Sequence, residues 1–308
     1  MMYEQRNPMN EAGRFFRSRS ALSRLILINA GLWLLISTLR VIGFLFRIPD
    51  PVITNYVAEY LAVPASLSSL AERPWTLVTY MFFHIDFFHI LFNMLWLFWF
   101  GKIFLEFLKE KQLVLVYLLG GLSGGILYIV FYNIFPVFKN ALDQSIALGA
   151  SASVMAVVAA ISFYVPGYSV YMLLIGRVRI FFIAIALFVM DFFMIRSDNA
   201  GGHIAHIGGA LFGICYIFAT KKGMNFREIT GNWKNFALFR IFRRRKKILY
   251  TDYRSENGGR PMTDEEYNVL KAERQKRIDL ILDKISKSGY ESLTKEEKDL
   301  LFKSSNSG

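Results

Sequence analysis

Between residues 25 and 220 the chain consists of apolar segments of membrane-spanning length, separated by short polar breaks. A helix needs about 20 predominantly apolar residues to cross the hydrocarbon core of a bilayer. Six such segments occur, at residues 25–46, 80–100, 113–135, 146–165, 178–195 and 203–219. The sequence therefore predicts an all-α membrane protein, a bundle of six transmembrane helices with a small helical cytoplasmic tail.

The charged residues lie mostly outside these segments and divide the chain into four regions. Residues 1–24 carry five arginines and lack the apolar region and cleavage site of a signal peptide, so we expect a basic cytoplasmic segment there. Residues 25–220 hold the six helices, and residues 221–262 form a basic juxtamembrane segment and linker. Residues 263–308 form the tail.

Two helices are predicted in the tail. Thr263 with Glu266, and Thr294 with Glu297, have the spacing of capping boxes that begin helices, and Gly289 is expected to end the first helix. Two short helices are too small to hold a substantial core alone. A docking or regulatory role and a loosely folded appendage both stay open.

The net charge of +12 is compatible with binding to nucleic acid or to anionic lipid headgroups. The basic cluster at residues 243–247 follows shortly after the last apolar segment, where each basic residue gains roughly 1 kcal/mol from nearby anionic headgroups. We therefore predict the lipid bilayer as a partner and no binding to nucleic acid.

The distribution of lysine and arginine predicts the orientation of the helices. With both termini cytoplasmic, twenty of the basic residues up to Lys247 fall on the cytoplasmic side and five on the outer side. The second, fourth and sixth segments then all begin near the outer face. Polar candidates occur early in these segments, namely His84, His89, Ser151, His203 and His206. The sequence thus places them at one depth in the bilayer.

Polar groups retained in hydrocarbon are candidates for function. Ser151 is the candidate nucleophile, and His206 is the candidate base that takes its proton. His89 and Asn93 are spaced i, i+4 and project from one helical face, so their N–H groups could donate to an oxyanion together with the Ser151 backbone N–H. No carboxylate is placed to complete a triad, so the sequence predicts a Ser–His dyad.

Small residues favour this geometry. Gly209 and Gly213 follow His206 in a GxxxG spacing, on the same helical face as the histidine. Faces of small residues let membrane helices approach closely, as a Ser–His hydrogen bond of about 2.6–3.2 Å requires.

Each candidate also has a structural interpretation. Ser151 could be a packing residue among alanines, and Asn93 could bond a neighbouring helix, a contact worth on the order of 1 kcal/mol. His84 and His203 either line a water-accessible cavity or lie at the membrane interface. Asp191, within the fifth segment, is interpreted as a cap for polar groups or an influence on gating. Residues 170–175, just before that segment, are expected to lie at the interface.

The segments that carry these residues resemble the rhomboid intramembrane serine proteases. The resemblance covers roughly residues 20–220 and rests on three motifs in the family's order: Trp75 to Met94 with His84, His89 and Asn93; Gly149-Ala-Ser151; and Ala205-His206-Ile-Gly-Gly209-Ala-Leu-Phe-Gly213. The tail resembles tails of rhomboid relatives from Bacteroidetes-type bacteria, so the expected location is a bacterial inner membrane.

The resemblance implies a rhomboid-like bundle in which Ser151 is the nucleophile and His206 the general base, with His89 and Asn93 at the oxyanion. Substrates would be transmembrane or membrane-anchored proteins cleaved near the outer face, with no cofactor and no metal. The connection at residues 47–79 would be the family's membrane-embedded first loop. The fifth helix would be the mobile helix at the lateral entrance.

The chain departs from the family at three positions. Ala152 replaces a frequent glycine, and Thr76 replaces an arginine that often follows the tryptophan of the first loop. At Met155 many members have a tyrosine that stacks on the catalytic histidine. A thioether can contact an imidazole but offers no ring face. The sequence therefore identifies no group that orients His206.

Two other functions stay open. A catalytically inactive rhomboid-like protein would bind membrane proteins without cleaving them, although such relatives generally lack the serine or the histidine. A histidine-based metal-binding membrane protein would use His203 and His206 as ligands. Against the second, the sequence has no HExxH motif and no cluster of acidic or cysteine ligands beside them.

Overall fold

A computed structural model of the chain describes residues 20–172, 176–223, 278–285, 289–294 and 296–298. The chain divides into two compact units, Met1–Arg244 and Arg245–Gly308. In chain order, the α-helices among the described residues of the first unit are α1 Ala21–Leu45, α2 Asp50–Leu61, α3 Leu67–Glu72, α4 Thr76–Thr79, α5 Phe87–Phe107, α6 Glu110–Ile134, α7 Ser151–Tyr164, α8 Ile180–Phe193 and α9 Ala200–Lys221.

The predicted all-α membrane bundle is confirmed. Within the described residues, α1, α5, α6 and α9 are long and apolar enough to cross a membrane. Helices α7 and α8 occupy the fourth and fifth predicted segments and are shorter, at 14 residues each. Large apolar side chains are exposed on the outside of the bundle, where lipid would surround them, and examples on α1 and α8 are Leu34, Phe44, Phe182, Val189 and Phe193.

The second predicted segment begins later than its apolar composition indicates. Residues Tyr80–Phe82 form a 3₁₀ turn, and α5 starts only at Phe87. Phe83 has extended backbone angles, with φ −103° and ψ 141°, which end the 3₁₀ turn. His84 therefore lies in a loop before α5 and not in a helical turn as predicted.

Two short antiparallel sheets interrupt the helical pattern. Strand β1 (Val63–Pro64) pairs with β2 (Ile146–Ala147), and β3 (Ser169–Met172) pairs with β4 (Gly176–Arg179). The second pair corrects the predicted start of the fifth helix, because residues 178 and 179 belong to β4 and α8 begins only at Ile180. Its β-branched and aromatic residues favour extended backbone over helix. The expected interfacial position of residues 170–175 stays a prediction.

Helix α7 lies at the centre of the bundle and packs against α5, α6, α8 and α9. Its contact with α9 is a backbone contact. A Cβ atom on Gly209 would overlap the carbonyl of Ala152, and one on Gly213 would overlap the carbonyl of Ala156. These two glycines therefore allow α7 and α9 to approach as closely as they do.

In the second unit, residues 278–285 are helical. Gly289 follows with φ +77°, and its N–H donates to the carbonyl of Ile285 at 2.9 Å. A glycine in this left-handed conformation is a common way to end a helix, as predicted. The predicted capping box at Thr263 and Glu266 lies outside the described residues.

The second predicted capping box is present. The N–H of Thr294 donates to Glu297 Oε2 at 2.8 Å, and the N–H of Glu297 donates to Thr294 Oγ1 at 3.3 Å. The Thr294 N–H and the ammonium of Lys284 hold the pKa of the Glu297 carboxyl below its usual range. Local spacing alone was sufficient to predict this reciprocal cap.

We expect Gly213→Ala to lower the thermal stability of the purified protein, because the new methyl group would force α7 and α9 apart. Overpacking of this kind costs about 1–3 kcal/mol, and each kcal/mol shifts the midpoint by roughly 2–4 °C in a domain of this size. Thermal unfolding in detergent measures the change. The control is Gly31→Ala on α1, where a Cβ atom meets nothing within 4 Å. Equal midpoints for both variants would contradict the backbone contact.

Candidate active site

A cavity of about 660 Å³ lies at the end of the bundle where α5, α7 and α9 begin, which we call the site end. Predicted site residues from three helices line it, namely His89, Asn93, Ser151, Met155 and His206. Asp191, near the end of α8, and His203 line it as well. The structure therefore brings the predicted hydroxyl, imidazoles and amide to one cavity.

Ser151 is the first residue of α7, and a tight turn places it there. Gly149 has φ +131°, a conformation that side-chain-bearing residues rarely adopt, and its N–H donates to the carbonyl of Tyr80 at 2.9 Å. A Cβ atom on Gly149 would lie 2.5 Å from Cε1 of His89. The turn therefore needs glycine for its backbone angle and for the adjacent imidazole.

The imidazole of His206 is held by a carboxylate. Nδ1 of His206 lies 2.9 Å from Oδ1 of Asp191, whose side chain is only 2% exposed. An ionised carboxylate only accepts hydrogen bonds, so Nδ1 carries the proton and Nε2 keeps a lone pair. Asp191 thus selects the tautomer of His206 in which Nε2 can act as a base.

This carboxylate corrects the predicted dyad. Helix α8 runs towards the site end, and the 3₁₀ turn Met194–Arg196 reverses the chain into α9. The last turn of α8 therefore lies beside the first two turns of α9, which brings Asp191 to His206. The predicted orientation of the six segments could have indicated this contact. It places the end of the fifth segment and the start of the sixth at the same depth, near the outer face of the membrane. From the sequence, Asp191 is interpreted only as a cap for polar groups or an influence on gating.

His203 shares the same carboxylate oxygen. Its Nδ1 lies 2.7 Å from Oδ1 of Asp191, and its side chain is 18% exposed. His203 and His206 are spaced i, i+3 on α9, so both rings reach the carboxylate from one helical face. A single carboxylate from α8 therefore lies beside both histidines.

His84 lies behind the cavity and does not line it, contrary to both interpretations of this residue. It is fully buried. Its Nε2 accepts the N–H of Ala150 at 3.2 Å and lies 3.1 Å from Nδ2 of Asn93. Because the Ala150 N–H can only donate, Nε2 is an acceptor, and the Asn93 amide donates to it. One of the two amide N–H groups of Asn93 is left for the cavity.

Met155 does not take the place of the stacking tyrosine as the group that orients His206. It is buried with Ala159 and Ala210, and Leu187 and Phe188 of α8 pack against this cluster. Met155 therefore forms part of the apolar wall of the cavity, where α7, α8 and α9 meet. The hydrogen bond that Nδ1 of His206 donates to Asp191 supplies the orientation for which the sequence identified no group.

Comparisons with known proteins agree with this architecture. Residues 71–223 match the Rhomboid domain family, and residues 262–307 match a family of unknown function (DUF6576). The presenilin-associated rhomboid-like protein, mitochondrial, of Homo sapiens is 33% identical over 184 residues, which cover 56% of this chain and 44% of that protein. Its Mus musculus counterpart is 32% identical with the same coverage. RHOMBOID-like protein 12, mitochondrial, of Arabidopsis thaliana is 29% identical over 160 residues, covering 49% of this chain and 48% of that protein.

The matched region spans less than half the length of these relatives. All three are named as mitochondrial proteins, so the prediction of a bacterial inner membrane is wrong. Charge distribution reports the orientation of helices relative to a membrane and not which membrane it is. A multi-pass membrane protein is supported, and the likeness of the tail to Bacteroidetes-type proteins stays a prediction.

We expect His84→Ala to destabilise the protein by more than a cavity alone would, because it leaves the buried N–H of Ala150 without an acceptor. An unsatisfied buried group costs about 1–3 kcal/mol in addition to the lost packing. Thermal unfolding in detergent measures the loss. His84→Gln is the matched variant, since its Oε1 can accept the same N–H, and it should recover part of the stability. A wild-type midpoint for His84→Ala would contradict this structural role.

Proposed function

We propose that this chain, which belongs to the rhomboid family through its Rhomboid domain at residues 71–223, is an intramembrane serine endopeptidase. The observation that carries the proposal is one cavity lined by Ser151, His206 and Asp191, with the His206 imidazole bonded to the carboxylate at 2.9 Å. The substrates would be transmembrane or membrane-anchored proteins, cleaved near the face of the bilayer at the site end.

Ser151 and His206 carry the covalent chemistry in this proposal. Nε2 of His206 takes the hydroxyl proton as Oγ of Ser151 attacks the scissile carbonyl, and the imidazolium then gives that proton to the leaving amine. Water hydrolyses the acyl-enzyme by the same route, with His206 again as the base. Asp191 stays ionised, holds the Nδ1–H tautomer and stabilises the imidazolium that forms in each half-reaction.

The oxyanion would be stabilised by donors from two helices. His89 and Asn93 lie on the face of α5 that lines the cavity. The backbone N–H of Ser151 belongs to the first turn of α7, where N–H groups lack an intrahelical acceptor. Removal of one such donor costs roughly 10²–10³ in rate in other serine hydrolases. His84 supports this set indirectly, since it holds both the Asn93 amide and the turn before Ser151.

A fluorophosphonate probe tests the proposal, because it labels an activated serine without a known substrate. We expect the purified wild-type protein to be labelled, and Ser151→Ala and His206→Ala to lose labelling by roughly 10³-fold or more. Ser153→Ala is the matched control, since Ser153 lies buried on the same helix with its Oγ unpartnered. No labelling of folded wild-type protein would instead favour an inactive rhomboid-like protein that binds membrane proteins.

Asp191→Asn distinguishes a carboxylate that positions His206 from a dyad that needs none. An asparagine offers its amide N–H₂ to Nδ1 and favours the wrong tautomer, so the labelling rate should fall by up to about 10⁴-fold, as when a triad aspartate is replaced by asparagine. The rate constant of fluorophosphonate labelling at several pH values is the measurement. An unchanged rate and pH profile would restore the dyad.

His203→Ala should retain substantial labelling and cleavage, whereas His206→Ala should abolish both. Only His206 is proposed to exchange a proton with Ser151, although both histidines bond Asp191. The two variants are matched, because each removes one imidazole from the same carboxylate. Equal losses in both would show that the base is wrongly assigned.

A further inference from the structure

Three metal-ligating atoms converge where α8 meets α9. Oδ1 of Asp191 lies 2.7 Å from Nδ1 of His203 and 2.9 Å from Nδ1 of His206. Each of the three residues offers one potential ligand atom, and these atoms lie within 4.8 Å of one another. The carboxylate side chain is 2% exposed, while the two imidazoles are 18% and 21% exposed. A fixed anionic ligand is thus paired with two nitrogen ligands that border the cavity.

The spacing suits a small tetrahedral ion. Zinc binds imidazole nitrogen and carboxylate oxygen at about 2.0–2.2 Å, so ligand atoms of a tetrahedral site lie about 3.3 Å apart. The present distances of 2.7 and 2.9 Å would have to open by roughly half an ångström, within reach of small side-chain rotations. Two nitrogens and one oxygen favour zinc-like ions over magnesium and calcium, which take oxygen ligands.

The surroundings leave room for a fourth ligand. Asp191, His203 and His206 all line the cavity of about 660 Å³, which also contains Ser151 and Asn199. A water molecule in the cavity could complete the coordination, as in zinc sites with three protein ligands. The ion would approach through the cavity, because the carboxylate is closed off by protein on its other sides.

We propose that Asp191, His203 and His206 bind one zinc-like divalent ion, and that this ion inhibits the enzyme. The regulatory half of the proposal rests on the proposed protease function, whereas the binding half does not. Binding forms one Zn–O and two Zn–N bonds and displaces water from the ion. It also changes the net charge at the three side chains from −1 to +1.

The inhibition follows from the position of one proton. In the metal-free site Nδ1 of His206 carries the proton and Nε2 has the lone pair that would accept the Ser151 proton. A metal ion on Nδ1 requires a lone pair there, so the proton of the neutral ring moves to Nε2 through water in the cavity. The imidazole then has no acceptor for the serine proton. Zinc binding and general-base catalysis by His206 are therefore mutually exclusive.

Binding is tested with cobalt, which reports its geometry spectroscopically. Full-length protein, purified in detergent and stripped of metal with a chelator, is titrated with Co²⁺ and then with Zn²⁺. We expect one Co²⁺ per chain with the strong visible absorption of a tetrahedral site, and its displacement by Zn²⁺ but not by Mg²⁺. Ser151→Ala should bind like wild type, because Ser151 is not a ligand.

His203→Ala provides the decisive comparison. It removes one ligand while leaving Ser151, Asp191 and His206 in place, and it should weaken Co²⁺ binding at least tenfold. Cys215→Ser is the matched control on the same helix and should bind as wild type does, since its thiol lies outside the cavity lining. Absence of saturable binding in folded wild type, or equal binding by His203→Ala, would overturn the site.

Inhibition is measured separately as the rate of fluorophosphonate labelling. Zn²⁺ should slow labelling of wild type at the concentration that saturates the cobalt site, and a chelator should restore the rate. Inhibition of His203→Ala should need at least tenfold more Zn²⁺. Metal binding without any change in the labelling rate would overturn the inhibitory role. Metal binding by a wild-type protein that is never labelled would refute the protease and leave the metal site standing.

Discussion

The backbone contact between α7 and α9 is the constraint on which the remaining features of the site depend. Because Gly209 and Gly213 have no side chains, the carbonyls of Ala152 and Ala156 lie directly against the backbone of α9. Both helices begin at the site end, so Ser151, the first residue of α7, and His206, in the second turn of α9, border one cavity. Lipid supplies no hydrophobic force between helices, so close packing of small residues is the main means of holding them.

The buried carboxylate of Asp191 is the second feature that sets the chemistry. A carboxylate at this depth is expensive unless hydrogen-bond donors surround it, and two imidazole N–H groups meet that requirement. The arrangement stabilises the charge and selects the tautomers of both rings. To orient His206 as a base, Asp191 needs to bond only that imidazole. Because His203 bonds the same carboxylate oxygen, three potential metal ligands lie together.

The sequence predicted the elements whose signals are local. The apolar segments indicated helices at all six places, and the i, i+4 spacing put His89 and Asn93 on one face of α5. The cap at Thr294 and Glu297 could likewise be predicted from spacing. Asp191 was missed because its role depends on a chain reversal that joins two segments. His84 was misplaced because a single extended residue, Phe83, decides where α5 begins, and the apolar composition is the same on both sides of it.

Met155 shows how one departure from the family pattern can be tolerated. A stacked tyrosine restrains the plane of an imidazole, but it does not decide which nitrogen carries the proton. A carboxylate bond to Nδ1 restrains the ring and also decides its tautomer. Asp191 can therefore fix both the orientation and the tautomer of His206, whereas the tyrosine found in many family members at the position of Met155 would restrain only the orientation. The same bond leaves Nδ1 facing a carboxylate and a second imidazole. A metal ion that binds these groups would therefore compete with the proton on Nδ1 of His206.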